Sequence, residues 1–123
     1  MSSMALFVYG TLRRGCANRH AELLDRSARF LGSARVAGRL YRVDWYPGMT
    51  LGDEADEWVI GDVFELLDQK TLAALDEYEG SEEYRRVLTT AMLENGDHVQ
   101  CWVYEYIGPV TEAGRIVSGD WQA

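Results

Sequence analysis

Histidine, cysteine and lysine are scarce in this chain, and each scarcity closes off a class of chemistry. The two histidines, His20 and His98, lie far apart without ligand-like spacing, which argues against a zinc or iron site. No metal and no cofactor are expected, and both imidazoles are expected at the surface. Two cysteines, Cys16 and Cys101, are too few for a disulfide framework, so free thiols are expected. Cys16 and His20 stand four residues apart, but spacing alone is no evidence of a nucleophile and its base. Gly-x-Ser-x-Gly and a phosphate-binding loop are both absent, which speaks against serine hydrolases and nucleotide binding. No apolar run approaches the ~20 residues that cross a bilayer, and the N terminus lacks the basic, apolar and small-residue segments of a secretory signal. A cytoplasmic protein without membrane contact is the expectation.

Lys70 is the one lysine beside eleven arginines, so a positive group in a binding site is expected to be a guanidinium, suited to bidentate carboxylate recognition. Arg13, Arg14, Arg85 and Arg86 lie next to the motifs described below, and each also reads as a surface arginine. The net charge of -8 argues against nucleic acid, whose affinity for proteins comes largely from phosphate neutralisation. At 123 residues the chain is expected to form a single domain over residues 1–123, and a monomer or weak homodimer.

What the chain does have is an apolar run, Met4 to Tyr9, that breaks into Gly10-Thr11-Leu12-Arg13-Arg14-Gly15. The run has strand composition, and Gly10 lacks the Cβ that would stop successive N–H groups from pointing at one spot. The turn can therefore hold an anion such as a carboxylate. A plain strand-to-loop turn with solvated arginines fits these residues equally well.

A second feature is Leu75-Asp76-Glu77-Tyr78-Glu79-Gly80, at the end of a predicted helix over Asp68 to Tyr78. Asp68 reads as its N-cap, Leu72 and Leu75 fall one turn apart, and Gly80 can end it. Glu79 then faces the negative end of the helix dipole, which favours the protonated acid. Glu77 lies about 200° away around the helix, so the two acids cannot share one pocket. An acidic surface cluster with Asp76, Glu82 and Glu83 is the other reading.

In series, Tyr9-Gly10-Thr11-Leu12, Gly38-Arg39-Leu40-Tyr41, Tyr46-Pro47-Gly48, Val59 to Glu65, Leu75 to Gly80 with Tyr84-Arg85-Arg86, and Ser118-Gly119-Asp120-Trp121 resemble the gamma-glutamylcyclotransferase-like (AIG2-like) family, in the family's order and over nearly the whole chain. The resemblance implies an α+β fold, a small, partly closed mixed β-barrel with flanking short helices. It implies a small-molecule γ-glutamyl substrate whose α-amine attacks its own γ-amide carbonyl, releasing 5-oxoproline and a free amine. It implies Glu79 as the catalytic acid/base, and backbone groups of Gly10, Thr11 and Leu12 as the grip on the substrate carboxylate, with Tyr9 lining the site. Tyr84, Tyr41 and Trp121 are candidates for the pocket wall, and each fits the core as well. A non-catalytic carboxylate-binding domain on the same scaffold is the alternative; a second acid at position 79 favours the enzyme, because a pocket built only for an anion gains nothing from it.

Element patterns accord with an α+β chain. Asn18 to Leu24 reads as a short helix, Arg29 to Val43 as one or two strands, Trp45 to Glu57 as a loop, and Val59 to Leu66 as a strand. Tyr84 to Leu93 alternates, and Asn95-Gly96 predicts a type I′ turn into a strand from about His98 to Ile107. Val87, Thr89, Ala91 and Leu93 then share one face, and Val99, Cys101 and Val103 share another, which makes Cys101 a core residue rather than a nucleophile.

Overall fold

Alternation in the last two long strands sets the wall of a barrel. The computed structural model describes residues 5–10, 28–43, 46–52, 57–67, 70, 71, 73, 74 and 83–121. Its strands are β1 (Ala5–Val8), β2 (Ala28–Arg42), β3 (Pro47–Leu51), β4 (Trp58–Leu66), β5 (Tyr84–Leu93), β6 (His98–Tyr106) and β7 (Arg115–Ile116), with a 3-10 turn at Glu112–Gly114. β4 lies antiparallel between β1 and β2, and β2 meets β5 through Ala34/Leu93 and Arg35/Met92. β5 pairs antiparallel with β6, and β6 returns to β1 in parallel at Leu6/Trp102. The ring therefore closes through five strands with mixed pairing, the barrel implied by the family resemblance. β3 lies along the second half of β2 and touches β6 at Met49/Glu105, while β7 pairs with Leu40 and Tyr41.

All four residues of β1 are buried, as expected of an uninterrupted apolar run covered on both faces. Ala5 and Phe7, with Tyr9 beyond them, enter the interior cluster alongside Val36, Met49, Val63, Ala91, Cys101 and Val103. Leu6 and Val8 join a second cluster on the other face with Phe64, Leu66, Tyr84, Tyr104 and Tyr106. The predicted facing sets pair residue for residue: Val87 lies opposite Val103, Thr89 opposite Cys101 and Ala91 opposite Val99. Cys101 is fully buried, and burial pushes its thiol up to about 12, so it stays protonated and inert.

Two expectations change. The segment taken for a loop between Trp45 and Glu57 contains β3, whose Pro-Gly start hides its strand character; proline is tolerated at the first position of a strand, and pairing with β2 decides the rest. The hairpin turn is also different, because a type I′ turn needs positive φ at both central residues. Gly96 takes φ 92°, and among the described residues no non-glycine residue has positive φ. The N–H of Gly96 donates to the Leu93 carbonyl at 2.9 Å and that of Leu93 to Asp97 at 2.8 Å. This is a three-residue loop with Gly96 in the left-handed bulge position. β2 is one 15-residue strand, bent by a register shift between Phe30 and Gly32.

Lys70, Thr71, Ala73 and Ala74 are helical, in agreement with the helix predicted there. The remainder of that helix, and the helix predicted over 18–24, lie outside the described residues. Among the described residues no helix is long and apolar enough to cross a membrane.

Candidate active site

Thr11, Leu12, Glu77 and Glu79 lie outside the described residues; the residues that flank them, Tyr9-Gly10 and Glu83-Tyr84, lie within. Tyr9 follows β1, and its ring continues the inward face of the strand, 6.3 Å from that of Phe7. Its phenol donates to the Tyr104 carbonyl at 2.6 Å and accepts the Met49 N–H at 3.2 Å. The side chain expected to line a pocket is thus a buried tie joining β1, β3 and β6.

Gly10 is buried too. A Cβ added there would stand 2.6 Å from Cγ and 2.9 Å from Cδ of Pro47. Its φ does not lie in the left-handed region, so a side chain is excluded by close approach to the proline ring and not by the conformational freedom expected from sequence.

Pro47 is also held by Tyr84, whose hydroxyl donates to the Pro47 carbonyl at 2.7 Å. Tyr84 is buried and meets Tyr106 edge to face, with centroids 5.5 Å apart. One residue earlier, Glu83 accepts a hydrogen bond from the Tyr46 hydroxyl at 2.6 Å. The residues that flank the N-terminal turn and those that follow the Glu79 segment therefore converge on Tyr46-Pro47. Tyr46-Pro47-Gly48 stands in the motif series without a role of its own; an aromatic residue directly before a proline is the signal that the sequence carries there.

The neighbouring charged groups are engaged among themselves. Arg85 pairs with Glu105 at 2.9 Å, whose other oxygen accepts the Leu51 N–H at 2.8 Å. Arg86 lies 4.4 Å over the Trp102 ring. Both sit on the barrel wall, in keeping with the surface reading of those arginines; Arg13 and Arg14 lie outside the described residues. Glu57 binds Arg39 at 2.8 Å and also Arg115, and the hydrogen bonding of Arg115, above all, holds its carboxyl below the usual range. Tyr41 is buried, and Trp121 packs half-buried against the interior cluster with the Arg42 guanidinium 4.6 Å over its ring.

The family description "Gamma-glutamyl cyclotransferase, AIG2-like" matches residues 6–123. The chain belongs to this family. A gamma-glutamylaminecyclotransferase from Rattus norvegicus is 35% identical over 117 residues, covering 80% of this chain and 75% of its own. The gamma-glutamylcyclotransferase family protein YtfP of Escherichia coli K12 is 34% identical over 121 residues, 96% of each chain. Among solved structures, an AIG2-like protein from Mus musculus superposes with a TM-score of 0.73 at 27% identity, over 91% of this chain and 82% of that one. Membership supports gamma-glutamyl cyclotransferase activity in the general sense.

Proposed function

We propose that this protein cyclises the γ-glutamyl group of a small γ-glutamyl amine or amino acid, releasing 5-oxoproline and the free amine, with Glu79 as acid/base. The observation that carries this reading is the convergence of Gly10 and Tyr84 on Pro47, in a chain whose fold and sequence match the family. That junction ties the turn suited to an anion to the strand that follows the candidate acid.

The chemistry asks for little else. The substrate supplies its own nucleophile, so the protein must fold the γ-glutamyl chain until the α-nitrogen meets the γ-carbonyl, and such positioning contributes as much as ~7–11 kcal/mol. Backbone N–H groups of Gly10, Thr11 and Leu12 grip the α-carboxylate; fixed donors do so without ordering a side chain. The α-ammonium gives up a proton before attack, and the new C–N bond forms as the carbonyl becomes a tetrahedral oxyanion. Collapse breaks the old amide bond, whose nitrogen must take up a proton to leave. The first nitrogen sheds one proton before attack and a second as it becomes the lactam N–H, and Glu79 passes them in turn to the second nitrogen, which departs as the protonated amine. Tyr9 and Tyr84 serve this site as ties, the first just before the turn and the second at the start of the strand that follows Glu79.

The test is 5-oxoproline release from a panel of γ-glutamyl amino acids and amines, with wild type and Glu79→Gln side by side and folding checked by thermal melt. Release by the wild type that vanishes in a folded Glu79→Gln supports the reading. Release that persists in Glu79→Gln removes Glu79 from its role, and no release from any substrate, with γ-glutamyl compounds still raising the melting temperature, points to a binding domain.

A further inference from the structure

We infer that Asn95 is a site of spontaneous covalent modification, converted to aspartate and isoaspartate with loss of ammonia, and that the β5–β6 hairpin sets the rate. Asn95 plays no part in the proposed cyclisation. Two features meet at this residue: an asparagine whose successor offers no steric hindrance, and a turn whose hydrogen bonds engage both groups that must react.

The chemistry is internal to the dipeptide. The backbone nitrogen of Gly96 gives up its proton and bonds to the Asn95 Cγ, the Cγ–Nδ2 bond breaks, and the amide nitrogen leaves with that proton as ammonia. Water then opens the five-membered imide at either carbonyl, which gives aspartate or isoaspartate. A side chain at position 96 would crowd the ring, and glycine has none; a Cβ added at Gly96 would meet nothing within 4 Å. Asn95, Gly96 and Asp97 are all exposed, so water reaches the imide. The other asparagine of the chain, Asn18, precedes the bulky Arg19.

The closed hairpin opposes the first step. The Gly96 N–H donates to the Leu93 carbonyl at 2.9 Å, and the Asn95 Nδ2 donates to the Asp97 Oδ2 at 3.1 Å. Ring formation destroys both bonds, since one donor loses its proton and the other departs. The Asn95 Oδ1 is held as well, by the Asp97 N–H at 2.8 Å. The tip is also fastened to the sheet. The Leu93 N–H donates to the Asp97 carbonyl at 2.8 Å, and the Glu94 N–H donates to the Ser33 carbonyl of β2 at 3.2 Å. With two hydrogen bonds to give up, the folded chain reacts roughly 10- to 100-fold more slowly than the unfolded one.

The experiment holds the full chain in mildly alkaline buffer, folded or unfolded in guanidinium, and samples it over days. Peptide mass spectrometry follows loss of the amide at residue 95, an isoaspartate assay counts the isomer, and ion exchange follows the added negative charge. In the unfolded chain, conversion at Asn95 is expected to outpace conversion at Asn18, and folding is expected to slow it roughly 10- to 100-fold. Asp97→Ala, which removes the Oδ2 acceptor and keeps the residue 97 N–H, is expected to raise the folded rate roughly threefold or more. Both proteins are compared well below their melting temperatures, so that global unfolding does not supply the difference. Equal rates in the folded and unfolded chain, or a folded rate in Asp97→Ala no faster than wild type, would overturn control by the hairpin. An amide at residue 95 that survives in both states would overturn the site itself.

Discussion

The Tyr9 hydroxyl donates to the backbone carbonyl of Tyr104 at 2.6 Å, across 95 residues of chain, and the same oxygen accepts the N–H of Met49. One phenol therefore bonds two buried backbone groups on two strands. A buried polar group left without a partner costs about 1–3 kcal/mol.

Tyr9→Phe keeps the ring and removes both bonds. The expected outcome is a folded protein less stable by about 1–3 kcal/mol, read as a lower midpoint in urea with an unchanged slope. Because Tyr9 directly precedes the turn proposed to grip the substrate carboxylate, KM is expected to rise more than kcat falls. A wild-type midpoint in Tyr9→Phe would show that water replaces the phenol at no cost.

Gly10→Ala places a methyl group 2.6 Å from the Pro47 Cγ. The proline is held by the Tyr84 hydrogen bond at its carbonyl, so Gly10 is the side expected to yield. Overpacking of this kind costs about 1–3 kcal/mol, and on the proposed reading of Gly10 as part of the carboxylate grip KM should rise as well. Pairing Gly10→Ala with Pro47→Ala is the decisive check: relief of the clash should restore part of the lost stability, whereas a glycine needed for its backbone conformation would show no rescue.

What could be read before the fold was known follows from how local each signal is. β5 and β6 alternate cleanly, so their ends, their facing sets and the burial of Cys101 were all legible from spacing of two. β3 was not, because Pro47-Gly48 opens it and its pairing partner is β2, not an adjacent hairpin strand. Asn95-Gly96 signalled a turn correctly but not its type: the Met92/His98 register and the Glu94 N–H bound to the Ser33 carbonyl at 3.2 Å fix a three-residue loop, and both depend on neighbours outside the dipeptide. The motifs at 9–12 and 75–80, with Tyr84 after the second, announced which residue types were unusual. The work of Tyr9, Gly10 and Tyr84 was hidden, since it is defined by Pro47, Met49 and Tyr104, distant in sequence.

The hairpin itself gives a clean contrast. Gly96, at φ 92°, lies where an L side chain is strained by roughly 1–2 kcal/mol, so Gly96→Ala should lower stability by about that amount. Asn95 has no positive φ, and its amide Oδ1 accepts the Asp97 N–H at 2.8 Å, so Asn95→Ala should cost only about 0.5–1.5 kcal/mol. In a two-residue type I′ turn both substitutions would carry the left-handed penalty. Equal losses of about 2 kcal/mol in the two variants would therefore favour that turn and count against the three-residue loop.

Glu57 ties the start of β4 to β2 and β7 through Arg39 and Arg115. Its carboxyl is held below its ordinary value, first by the hydrogen bonding of Arg115 and against an opposing effect of burial. A group whose folded pKa is depressed contributes stability that is fully present above its unfolded value and is lost as pH falls through the folded one. Glu57→Gln, which keeps the shape and removes the charge, should therefore melt below wild type at pH 7. The gap should begin to close near pH 4.5, the ordinary carboxyl value, and narrow further as acid neutralises the wild-type side chain. Melting curves of both proteins from pH 7 to pH 3 measure this directly, and a gap that stays constant across that range would mean that Glu57 acts through packing and not through its charge.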